Sequence, residues 1–115
     1  MNEMLFFHGR PSEAALYDAL MQRLESALGP FDVIVQKTQI TLRTSRVFGC
    51  VSLGPRGCIV VTFGLPSRVA SERIHQASEP HLNRWTHHIR IYAEDEMDEE
   101  LIDWLKAAYA FASRE

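Results

Sequence analysis

The residues best equipped for chemistry crowd into one stretch, Arg84-Trp85-Thr86-His87-His88-Ile89-Arg90-Ile91-Tyr92. Paired histidines suggest metal binding or proton transfer, because imidazole titrates near neutral pH. The stretch also reads as a β-strand, and neighbours on a strand point to opposite faces. His87 then shares a side with Ile89 and Ile91, and is expected to pack beneath a helix and hydrogen-bond to backbone or a helix carboxylate. His88 shares the other side with Arg90 and Tyr92 and is expected on an open face. The pair therefore does not make one metal site.

Other chemical signatures are sparse. The five histidines, at 8, 75, 81, 87 and 88, include no i, i+4 helical pair, and no Cys-x-x-Cys occurs. A nucleophile elbow of the Gly-x-Ser-x-Gly kind is missing, as are Gly-x-Gly-x-x-Gly and Walker loops. No cofactor is implied. Cys50 and Cys58 flank Gly54-Pro55-Arg56-Gly57, which reads as a hairpin turn. A turn centred on Pro55-Arg56 pairs position 50 with 61 and 53 with 58. The cysteines then lie roughly 10 Å apart along the hairpin at ~3.3 Å per residue, too far for a disulfide. Two free thiols suit a reducing compartment.

Charge supplies the next clue. Net charge is −3 over 115 residues, but residues 1–36 carry −3, residues 37–90 carry +6 and residues 91–115 carry −6. Basic strands flanked by acidic helices give either complementary layers or a basic sheet face that meets an anion. Seven of the fifteen acids fall in residues 94–103, where a helix N-terminus favours them. The same carboxylates, with Asp95, Asp98 and Glu99, are the metal-handling alternative.

These groups need elements to position them. Pro11 and the repeat Leu16, Leu20, Leu24, Leu28 predict a helix over 11–28, ended by Gly29-Pro30. Residues 31–37, 39–44, 46–53 and 58–65 read as four strands of an antiparallel meander, and 84–92 as a fifth. The connection 66–84 is basic, with Arg68, Arg73, His75, His81 and Arg84; Ser71–Ala77 reads as a short helix. Met97, Leu101, Leu105, Ala108 and Ala112 predict a last helix over 96–113.

The expected fold is therefore α+β, in the order α-β(4)-loop-β-α. It has an antiparallel sheet of about five strands with both long helices on one face, in a single domain, 1–115. Alternation puts Ile40, Leu42, Val51, Leu53, Ile59, Val61, Phe63, Ile89 and Ile91 under the helices. Thr41, Arg43, Phe48, Cys50, Ser52, Cys58, Val60, Thr62, His88, Arg90 and Tyr92 fall on the open face. No apolar run approaches a membrane span or a signal-peptide core, so a cytoplasmic, bacterial protein is expected.

Several segments resemble a small bacterial domain-of-unknown-function family, number fifty-six fifty-five. They are Lys37-Thr38-Gln39-Ile40, Phe48-Gly49, Phe63-Gly64-Leu65-Pro66, Arg84-Trp85-Thr86-His87-His88 and the terminal Ala108-Tyr109. The resemblance spans nearly the whole chain; where that family usually has alanine after the phenylalanine, this chain has Gly49. The pattern is also similar to YjbR-type domains, which share a frataxin-like fold sometimes compared with a DNA-binding double wing. The resemblance implies a fold and no established activity.

The favoured functional expectation is a non-enzymatic binding domain. Its open face and the basic 66–84 connection take an anionic ligand or a protein partner, with Lys37, Arg43 and Arg90 for charge and Trp85, His88 and Tyr92 for shape. A DNA- or RNA-binding module is the alternative, although a pI near 5.9 is low for one. A metal-handling or enzymatic protein using His88 and Lys37, or the acidic helix start, is the third reading. The chain is expected to act as a monomer or homodimer without membrane contact.

Overall fold

The computed structural model describes residues 2–114. A short helix α1 (Glu3–Phe6) precedes α2 (Pro11–Ala27). Strands β1 (Asp32–Val35), β2 (Ile40–Arg43), β3 (Val47–Leu53), β4 (Ile59–Leu65), β5 (Gln76–His81) and β6 (Arg84–Ile91) follow, then α3 (Glu99–Ser113). The strands form one antiparallel sheet in the order β1-β2-β3-β4-β6-β5. The α+β class and the four-strand meander agree with the sequence reading; the strand count does not.

The sixth strand comes from the 66–84 connection. Residues Ser71–Ala77 make no helix: a turn at 72–73 leads into β5, which pairs with β6. The segment has no apolar period of its own, so pairing with its neighbour decides its conformation. Another difference is α3, which starts at Glu99 rather than 96. Asp98 caps it by accepting from the Leu101 N–H at 3.1 Å, and 94–96 forms a separate 3₁₀ turn.

Leu16, Leu20 and Leu24 of α2 and Leu101, Leu105, Ala108 and Ala112 of α3 are buried against the predicted apolar sheet face. Ile40, Leu42, Val51, Ile59, Val61, Phe63, Ile89 and Ile91 are all nearly inaccessible there. Burying each such side chain stabilises the fold by about 1.5–3 kcal/mol. Phe48 departs from the expected face. A bulge between Leu42 and Arg43 gives β3 an extra residue and turns Phe48 inward, against Phe31 and Tyr109 with centroids 5.5 and 5.4 Å apart.

The β3–β4 turn is one residue longer than predicted. Arg56 and Gly57 take positive φ (54° and 80°), Cys50 pairs with Thr62, and Leu53 pairs with Ile59. Cys58 is buried beside Gly54 rather than displayed on the face, and both cysteines are free. Among the described residues, no helix is long and apolar enough to cross a membrane.

Candidate functional site

The open face is organised in cross-strand rows. Ile34, Thr41, Cys50, Thr62, His88 and Gln76 pair in succession across all six strands. The next row holds Ser52, Val60 and Arg90. Strand alternation therefore brings His88 and Arg90 to one side, as the sequence predicts.

A basic cluster surrounds them. Thr62 Oγ1 and His88 Nδ1 share a hydrogen bond of 2.9 Å. The Arg90 guanidinium donates to His75 Nε2 at 3.1 Å, and the His75 N–H donates to the His88 carbonyl at 2.7 Å. Guanidinium has only donors, so His75 Nε2 is the acceptor in this contact. The Arg56 guanidinium donates to the Tyr92 hydroxyl at 3.4 Å at the same end of the sheet. Burial, then His75, holds the His88 pKa below its ordinary value. His88 is thus biased to neutrality until a negative charge arrives.

The candidate ligand residues do not all converge. His88, Arg90 and Tyr92 lie together along and just beyond β6. Arg43 is exposed on the same face but at the opposite end of β2. It stands three strands across and about four residues along from Arg90, roughly 20 Å by strand spacings of ~4.8 Å and ~3.3 Å per residue. Lys37 occupies the exposed β1–β2 turn at the Arg90 end, but three strands away from β6, about 14 Å. Trp85 pairs with the buried Leu65 and shares the parity of His87, so it belongs to the helix side. It lines a cavity of about 170 Å³ with Arg46, His81, Arg84 and Phe111.

Sequence pattern does not single out Thr62, His75 or Arg56 as ligands. His75 sits in the unpatterned connection, and its basic company is the one signal for it in the sequence. Arg56 reads as a turn residue.

His87 is fully buried, as expected. Its Nε2 accepts from the Val69 N–H at 2.9 Å, and its ring stacks on Phe63 with centroids 5.0 Å apart. Nδ1 has no hydrogen-bond partner. Burial foremost holds the His87 pKa below its ordinary value. Phe63 stacks in turn on Trp104, over which the Arg73 guanidinium sits.

Burial raises the Cys50 pKa against a hydrogen bond from Thr62, which leaves a protonated, weakly nucleophilic thiol. The acidic helix start is occupied otherwise: Arg73 donates to Asp98 at 2.8 Å, to Glu100 at 2.9 Å and to the Glu96 carbonyl at 2.6 Å. Among the described residues, no three His, Cys, Asp or Glu side chains converge as a metal ligand set.

Ion pairs divide the molecule. Among the described residues, the pairs are Arg10–Glu13, Arg23–Glu94 and Arg73 with Asp98 and Glu100. All involve the helix layer or its junctions. Lys37, Arg43, Arg56, Arg84 and Arg90 of the sheet have no carboxylate partner among them.

No curated protein and no solved structure matches the chain. A family model matches residues 6–112, most of its length and all six strands. The chain belongs to the family described as Domain of unknown function (DUF5655).

Proposed function

We propose that this protein is a non-enzymatic binding domain whose open sheet face takes a small anionic group, from a ligand or from an acidic side chain of a protein partner. The site centres on Arg90, with His75 and His88 beside it and Arg56 and Tyr92 at its rim. One observation carries the reading: among the described residues Arg90 has no carboxylate partner, and its guanidinium is held in place by the His75 ring nitrogen. A guanidinium so oriented keeps donors for a phosphate or carboxylate. Arg43, Lys37 and Trp85 lie too far from it to touch the same small ligand.

Histidine titration by NMR, with and without inorganic phosphate, tests the site. Phosphate is expected to raise the His88 pKa, and Arg90→Ala to abolish that effect. An identical His88 titration at saturating phosphate would sink the proposal.

A nucleic acid is the second reading. It is favoured by Arg43 and Arg90, which share one face without an ion-pair partner among the described residues, at a separation that only an extended polyanion bridges. Gel shift at two salt concentrations tests it, since phosphate contacts weaken steeply with salt. We also read the helix–sheet–helix order as the frataxin-like arrangement of YjbR-type domains, in a bacterial cytoplasmic protein.

A further inference from the structure

The two edges of the sheet are built differently. The β5 edge is protected: Pro80 removes a backbone donor and a register shift falls between Ser78 and His81. The β1 edge has neither device. Its four residues, Asp32, Val33, Ile34 and Val35, pair only with β2. The Gln36 N–H donates to the Gln39 carbonyl, and antiparallel pairs alternate. Asp32 and Ile34 therefore direct their backbone groups to β2, and Val33 and Val35 direct theirs outward.

Apolar surface continues from this edge. Val33 and Ile34 are 38% and 37% exposed. A groove of about 440 Å³ runs between β1 and α2, lined by Met21, Leu28, Phe31 and Val33 with Glu25. A second hollow beside it adds Glu3, Tyr17 and Asp18. The two hollows carry three carboxylates, Glu3, Asp18 and Glu25, and no lysine or arginine lines either; Asp32 lies on the other face of the sheet, paired across strands with Arg43.

We propose that the β1 edge is a docking site for an extended segment of a partner protein, added as a seventh strand, whose helix-layer side carries both apolar and basic residues. Backbone bonds to Val33 and Val35 give the pairing, the groove takes an apolar side chain, and a basic side chain two residues along, on the same side, meets Asp18 and Glu25. Charge decides against a second copy here. Self-pairing would bring Asp18 and Glu25 of both copies together with no cation lining either hollow. This site is independent of the one centred on Arg90.

The probe is a synthetic six-residue peptide, Lys-Thr-Val-Thr-Lys-Thr, whose lysines and valine share one strand face, with the same peptide carrying glutamate in place of lysine as control. Added to the full chain at low salt, the basic peptide is expected to protect the Val33 and Val35 amides from hydrogen exchange. The Gln76 and Ser78 amides of β5 should not respond. The acidic peptide should bind at least about tenfold more weakly. Asp18→Lys with Glu25→Lys, both at exposed positions of α2, should reverse that preference. Equal binding of the two peptides, protection at β5 instead, or no protection at millimolar peptide would overturn the proposal. Self-association that protects Val33 and Val35 without peptide would also overturn it and make a second copy the occupant.

Discussion

The Val69 N–H donates to His87 Nε2, which joins the 66–75 connection to the buried centre of β6. The bond needs the neutral imidazole, and burial lowers the His87 pKa to keep it so. As the pH falls through the ordinary value of 6.5, the unfolded chain takes up a proton before the folded one. This contribution to stability is complete above 6.5 and declines as the pH drops below it.

His87→Phe keeps the ring stack on Phe63 but leaves a buried N–H without an acceptor. It is expected to cost about 1–3 kcal/mol near neutral pH and to flatten the acid decline. Urea unfolding at about pH 7.5 and about pH 5.5 checks both effects. Some slope should persist, because His88 has a lowered pKa as well.

Arg73 makes the second tie of this connection. Arg73→Ala removes its bonds to Asp98, Glu100 and the Glu96 carbonyl, and its position over Trp104. The expected cost is about 1–2 kcal/mol, because the partners are half exposed and screened. Arg73 also holds the Asp98 carboxyl below its ordinary range. That contribution is present above the ordinary carboxylate pKa and is lost as the pH falls through the lowered value. Arg73→Ala should thus lower stability at neutral pH more than in strong acid. An equal loss at both would show that Arg73 acts through packing alone.

Gly49 marks a close approach of β3 to β4. A Cβ added there would lie 2.7 Å from the Thr62 carbonyl oxygen, a backbone atom that cannot swing aside. Gly49→Ala is therefore expected to destabilise by about 1–3 kcal/mol, the usual range for overpacking. Thermal unfolding measures it.

Tyr109 joins the last helix to the end of α2. Its hydroxyl donates to the Pro30 carbonyl at 2.8 Å, and its ring packs edge-on against Phe48. Tyr109→Phe keeps the ring and loses the bond, for an expected cost of about 1 kcal/mol. A Phe48→Ala change should cost about 3–5 kcal/mol, since that ring is buried in the core. Denaturant midpoints of the two variants provide the comparison.

Much of this protein follows from local pattern. The leucine repeat of α2, the stripe of α3 and the two-residue alternation of β2, β4 and β6 specify elements and faces without help from neighbours. The alternation separates His87 from His88 because side-chain direction is a property of the strand itself. Tertiary structure decided what depends on partners. The connection became β5 because β6 offered backbone groups to pair with. Phe48 turned inward because a bulge shifted the register, and register belongs to two strands at once. The candidate site followed the same division. The strand placed His88 and Arg90 on one face. Only the folded sheet brought His75, Thr62 and Arg56 beside them and carried Lys37, Arg43 and Trp85 elsewhere, since distances across a sheet depend on strand order.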